Sequence, residues 1–207
     1  MTDKKKLILK ETKEWAIAFL IAYVIYIIVN FFLGTVSGIK QDSMYPTAKE
    51  GEKVLIQRPV IFKKDLEYGM IVTCEAPLEY SKQDEDGIAN YEEKSGLSAF
   101  TYDVLGFGKK TYIKRVIGVA GDELVIAKTG EVTKNGEKLD EIYLNPHKGE
   151  LEGNYMKIKV PEGSVFLMGD NRARSKDSRE FGCIPVEKIT GYVITRVWPL
   201  NNLGAIE

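Results

Sequence analysis

The sequence predicts a mainly β protein, an antiparallel β-sheet domain behind one N-terminal transmembrane helix. Three observations carry that reading. Residues 15–33 are an apolar run of membrane-spanning length, and no charged residue occurs between Trp15 and Lys40. Beyond it, short segments rich in β-branched and aromatic residues recur between Gly, Pro, Asn and Asp. No later stretch shows a sustained helical period.

The 207 residues suffice for one anchor and one domain of ordinary size. With 29 basic against 30 acidic residues, a net charge of -1 and no long basic run, nothing points to a nucleic-acid partner. One histidine and two cysteines leave no ligand spacing for zinc, haem or an iron–sulfur cluster, so no metal is expected.

Taken in order, Lys4, Lys5, Lys6, Lys10 and Lys13 precede the apolar run, and only Lys40 lies close behind it. That asymmetry predicts a cytoplasmic basic segment over 1–14, a transmembrane helix over 15–35, and an extracytoplasmic domain over 36–207 of a single-pass cell-membrane protein. As a helix, residues 15–33 rise about 28 Å, one hydrocarbon thickness. The run ends in Asn30, Phe31 and Phe32 rather than in a small-x-small site, which argues against a cleaved leader.

Strands are expected over 53–57, 70–73, 111–119, 123–127, 156–160, 164–168 and 191–198. Thr129-Gly130 and Asn135-Gly136 are tight-turn candidates, and short helical turns are expected near Pro46 and Pro185. Residues 75–110 break the rhythm with Glu79, Asp84, Glu85, Asp86, Glu92 and Glu93, followed by Gly96, Gly106 and Gly108. This reads as an inserted loop or small lobe with a solvated surface. It lacks the alternating carboxylates of a calcium loop.

Ser43, in the run Gln41, Asp42, Ser43, Met44, Tyr45, Pro46, Thr47, is a candidate nucleophile. Ten residues separate it from Leu33, about 33 Å at full extension, so it works near the membrane surface. A serine hydroxyl needs a base and a place for developing negative charge. His147 sits in a polar loop context and no Gly-x-Ser-x-Gly elbow surrounds Ser43, so it reads as a surface histidine. Lys114 lies inside an otherwise apolar strand and, by two-residue alternation, shares a face with Tyr112 and Val116, while Arg115 points the other way toward a surface or ion-pair role. An amine among apolar groups loses hydration, which disfavours its charge and makes it a base near neutral pH. A lysine at a strand edge that snorkels to water is the competing reading of this strand alone. The segment 169–182 carries Asp170, Arg172, Asp177 and Arg179, read as ion pairs that hold the loop rigid, and Ser175 and Ser178, read as hydroxyls directed into a site. A polar hairpin tip is the plainer reading.

Residues 43–47, residues 112–118 with Gly121 and Asp122, and residues 169–172 with Ser175, Asp177, Ser178, Arg179 and Gly182 closely resemble, in order and behind one anchor, the boxes of bacterial type I signal peptidases. The resemblance covers the anchor and nearly all of the domain. It implies a membrane-bound endopeptidase that removes signal peptides from exported preproteins after small residues and needs no cofactor. Ser43 would be the nucleophile and Lys114 the general base; Ser175 would hydrogen-bond the lysine amine. Asp177 and Arg179 would form the supporting ion pair, with Asp170, Arg172 and Arg115 in secondary structural roles. Implied partners are signal peptides, the lipid bilayer and the secretion translocase. The backbone N–H of Ser43 is expected to bind the oxyanion together with a second donor. Where some members carry a serine two residues before the nucleophile, this chain has Gln41, so that donor stays open among its amide, another backbone N–H and a water.

An extended substrate would add as a strand between the segment before Ser43 and the Lys114 strand, with shallow pockets near Gly38, Ile39, Met44 and Ile113. Cys74 and Cys183 read equally as a disulfide or as two buried thiols. Self-cleaving repressors share Ser–Lys chemistry but would need a DNA-binding segment in place of the anchor. A histidine-dependent signal peptidase would carry histidine at 114. A catalytically silent, membrane-anchored binding module is the alternative from another class.

Overall fold

The structure, a computed structural model, describes residues 3–32 (side chains 8–26), 34–58, 65–78, 87–96, 98, 102, 108–144 and 156–206. Two compact units divide the chain, residues 1–35 and 36–207. The first is helix α1, Asp3–Phe32, which starts well before the expected span and takes in the basic segment. Its apolar side chains, Trp15, Phe19, Leu20 and Tyr26 among them, are exposed. Among the described residues no helix is long and apolar enough to cross a membrane. The expected span extends into 27–33, whose side chains lie outside the described residues.

The second unit is built from β1 (Thr35–Gly38), β2 (Lys53–Gln57), β3 (Ile71–Glu75), β4 (Thr111–Val119), β5 (Glu123–Ile126), β6 (Val132–Lys134), β7 (Glu137–Lys138), β8 (Met156–Lys159), β9 (Ser164–Met168), β10 (Ile184–Pro185) and β11 (Ile189–Trp198). They form a seven-stranded sheet in the order β1-β2-β11-β3-β4-β9-β10 and a four-stranded sheet in the order β7-β6-β5-β8. From β2 onward the pairings between these strands are antiparallel, as the fold class predicts. β3 and β9 are buried at all five positions; β9 accordingly runs Val-Phe-Leu-Met without polar alternation, whereas β3 also buries the polar Thr73 and Glu75.

Period-two geometry sorts the central strands into two cores. Val116, Val165 and Leu167 join Val72, Cys74, Ile184 and Tyr192 on one face. Ile117, Phe166 and Met168 meet Leu124, Ile126 and Val132 of the small sheet on the other. The close approach of β5 depends on Gly118, where a Cβ would stand 2.8 Å from Leu124 Cδ1. A third cluster, Ile39, Met44, Ala48, Val54 and Ile71, lies beneath the segment that carries Ser43.

Three strands, β2, β4 and β9, have the bounds the sequence predicts, and β11 starts two residues earlier. The Asn135-Gly136 turn joins β6 to β7 with φ of 54° and 88°, the left-handed region that Asn and Gly tolerate best. Four short strands, β1, β6, β7 and β10, were not expected. Cys74 and Cys183 are buried free thiols in different core clusters, which removes the disulfide reading. Burial pushes both thiols up to about 12.

Among its described residues the insertion is held at its neck and at 88–89, while Glu92 and Glu93 are exposed. Ala76 N–H donates to Lys110 O at 2.9 Å across its neck, Ile88 bridges Cys183, and Ala89 is buried in the first core. Residues 79–86 and Gly106 lie outside the described residues, as does His147.

Candidate active site

Ser43 sits in a single 3-10 turn, Asp42–Met44, and is 6% exposed. Met44 anchors that turn by driving its side chain wholly into the third core, so it underlies the site and does not line a substrate pocket as expected. Two groups of Asn171 fix the turn's backbone: its N–H donates to Ser43 O at 3.0 Å and its Nδ2 to Asp42 O at 3.1 Å.

Lys114 comes from the middle of β4, opposite Val72 of β3, and is 2% exposed. Its Nζ donates to Ser43 Oγ at 2.8 Å, and the Tyr112 ring lies 5.4 Å from the same nitrogen on the shared face. Burial holds the amine below the ordinary lysine pKa; the charge of Asp177, the next largest influence, acts against this. An amine so placed sheds its proton more readily than one in water.

Segment 169–182 wraps this pair. Asp177, fully buried, accepts from Gly169 N–H at 2.9 Å and caps the one-turn helix α2 (Ser178–Phe181) by accepting from Arg179 N–H at 3.2 Å. The Arg179 guanidinium donates to both carboxylate oxygens, Nε at 2.8 Å and Nη2 at 2.9 Å, and Nη2 also donates to Arg172 O at 2.8 Å. Ser178 Oγ accepts from Leu167 N–H at 3.0 Å, so this hydroxyl fastens β9 and is not directed into the site. Ser175 is buried, and its hydroxyl has no hydrogen-bond partner among the described residues, Lys114 included. It stands beside Gly169, where a Cβ would lie 2.2 Å from Ser175 Oγ and 2.4 Å from Ser43 O. Only glycine allows the nucleophile's backbone and the loop to meet there.

Two further arginines join this loop to the sheets. Arg115 is buried rather than at a surface: it chelates Asp170, donates to Gly69 O at 2.9 Å, and stacks 3.8 Å from the Tyr143 ring centre. Asp170 also accepts from Thr47 Oγ1. Arg172 pairs with Glu141 and donates to Gly130 O at 2.6 Å, which ties the loop to the β5–β6 turn. The sequence reading missed Asn171, Glu141 and Tyr143 as partners. Asn171 stood within a box already quoted, whereas no local signal marks Glu141 or Tyr143.

A cleft of about 360 Å³ opens beside Ser43, lined by two segments, 37–43 and 109–113, with Val54, Ile56 and Thr73 at its base. Gly38, Ile39 and Ile113 line it as expected, and so does the exposed Gln41. Among the described residues no cluster of His, Cys, Asp and Glu is arranged to hold a metal.

This arrangement supplies a buried amine against a hydroxyl, braced by ion pairs, at the end of a peptide-sized cleft. The chain as a whole is similar in sequence to known proteins. The family described as signal peptidase, peptidase S26, matches residues 12–198. Signal peptidase IB of Staphylococcus aureus is 34% identical over 208 residues, covering 93% of each chain. Signal peptidase I of Bacillus caldolyticus is 40% identical over 117 residues, covering 50% of this chain and 64% of that one. A crystal structure of a signal peptidase I from Enterococcus faecalis is similar with a TM-score of 0.42 and 24% identity, covering 62% of this chain and 97% of that one. With the family matched over nearly the whole length, the chain belongs to the bacterial type I signal peptidases, a family of serine hydrolases.

Proposed function

We propose that this chain is a membrane-anchored endopeptidase that cleaves signal peptides from exported preproteins after small residues, with Ser43 as nucleophile and Lys114 as general base. The observation that carries the reading is the 2.8 Å contact between Lys114 Nζ and Ser43 Oγ, both side chains withdrawn from water. Neutral Lys114 takes the Ser43 proton as Oγ bonds to the scissile carbonyl carbon. The resulting ammonium gives that proton to the leaving amine nitrogen as the C–N bond breaks. Lys114 then removes a proton from a water as its oxygen attacks the ester carbon, and the ammonium returns that proton to Ser43 Oγ as the acyl C–O bond breaks, which restores the neutral amine and the free serine.

The tetrahedral oxyanion is bound by the Ser43 backbone N–H and by the Gln41 side-chain amide, which lines the cleft two residues away. Ser175, with its unbonded buried hydroxyl, orients the amine once the proton has moved. Asp177 and Arg179 hold the loop, and Asp170, Arg172 and Arg115 fix it to both sheets. Residues 15–35 anchor the chain, with 1–14 cytoplasmic and 36–207 outside; the uncharged stretch between Trp15 and Lys40 and the lysines before it support this. A shared bilayer then concentrates enzyme, signal peptide and the secretion translocase together.

The test is preprotein cleavage in detergent by wild type, Ser43→Ala and Lys114→Ala. Both variants should lose at least about a thousandfold in kcat. Processing by Ser43→Ala at the wild-type rate would sink the proposal.

A further inference from the structure

The chain as a whole carries a net charge of -1, yet the cleft is lined by Lys40, Lys109 and Lys110 and by no carboxylate. Lys109 is occupied: Glu75, buried at the end of β3, holds its Nζ at 3.3 Å, and the Tyr102 ring lies 5.1 Å from it. Lys40 and Lys110 are exposed and have no ion-pair partner among the described residues. They belong to different walls, Lys40 to segment 37–43 and Lys110 to segment 109–113.

Position and rigidity argue that the charge serves the substrate. Lys110 lies four residues before Lys114, about 13 Å along an extended chain. Lys40 lies three residues before Ser43. The neck of the insertion fixes the Lys110 backbone through the Ala76 N–H bond to its carbonyl, and the neighbouring Lys109 is pinned on Glu75. The insertion at 75–110, which the reaction itself does not use, thus ends by placing a cation on the cleft wall.

We propose that Lys40 and Lys110 form a carboxylate-reading subsite that selects substrates with an acidic side chain about four residues from the scissile bond. This rests on the protease reading above. The same positive rim would attract an anionic lipid headgroup. The peptide is the occupant argued for, because both lysines line the cavity that ends at Ser43.

The experiment compares kcat/KM for peptides carrying Glu or Gln at each position within five residues of the cut. The full chain is assayed at low salt in neutral detergent, in phosphatidylcholine vesicles and in phosphatidylglycerol vesicles. Wild type should prefer Glu at one position by about threefold, the scale of an exposed ion pair, and salt should erase the preference. Lys110→Gln should lower the ratio, Lys40→Gln combined with Lys110→Gln should bring it to about 1, and Lys110→Glu should bring it to 1 or below. A Glu-to-Gln ratio that neither Lys110 variant alters at any position overturns the inference while leaving the protease reading standing. A charge effect confined to phosphatidylglycerol vesicles also overturns it, in favour of a lipid contact. If wild type cleaves no peptide, the protease reading falls first and the subsite with it.

Discussion

Arg115 and Asp170 meet through two parallel hydrogen bonds, Nε to Oδ1 at 2.9 Å and Nη2 to Oδ2 at 2.8 Å, with side chains only 4% and 1% exposed. This pair joins β4, one residue beyond Lys114, to the loop that surrounds the amine. Removing one member of a buried pair strands the other charge, which costs about 3–5 kcal/mol. Arg115→Ala and Asp170→Ala should each lower the urea midpoint accordingly. Arg115→Met with Asp170→Leu should be less destabilised than either single variant, because no charge is left unpaired. A double variant that loses the sum of the two single losses would show that the pair does not act as a unit.

Gly169 is the second constraint. A methyl at this position meets Ser175 Oγ at 2.2 Å and Ser43 O at 2.4 Å, so the loop or the nucleophile's turn must move. Gly169→Ala should cost about 1–3 kcal/mol in stability. It should also cut kcat by about a hundredfold, because a shift of the order of 1 Å at a reacting atom is expensive. Thermal melting and steady-state cleavage check both, and wild-type kcat in Gly169→Ala would refute the close-contact argument.

Lys114 should be a stability liability that the reaction requires. Its folded pKa lies below the ordinary 10.5, so between those two values the unfolded chain binds more protons than the folded one. Wild-type stability therefore rises with pH across that window, and the cost of burying the amine is fully present below it. Lys114→Met should be about 1 kcal/mol more stable than wild type at neutral pH while inactive, and the gap should close as pH approaches 10.5. Denaturant melts at two pH values decide this; a variant less stable than wild type at neutral pH would contradict it.

The parts of this fold that were legible in the sequence are those where local signals agree. β4 and β9 carry enough apolar, β-branched residues to declare themselves, and Asn135-Gly136 has the chemistry its turn demands. β7 and β10 are two residues long and β6 three, so pairing with a neighbour makes them rather than any propensity of their own. Partner choice was equally invisible. Arg172 finds Glu141 across 31 residues, and Arg115 lies against the Tyr143 ring, matches set by how the small sheet folds over the large one. Alternation turned Arg115 away from Lys114 and left a surface and an ion-pair role both open; the face it turned to is covered, and the ion pair with Asp170 is the role it takes.

The most direct test of the Ser–Lys pairing is the pH dependence of kcat/KM for preprotein cleavage by wild type, with Lys114→Ala alongside. Only the neutral amine can take the Ser43 proton, so activity should be low in acid and rise tenfold per pH unit. It should level off at a pKa below the ordinary lysine value of 10.5, because burial lowers that of Lys114. Lys114→Ala should show no such rise. A flat wild-type profile, or the same rising limb in Lys114→Ala, would contradict the assignment of Lys114 as the base.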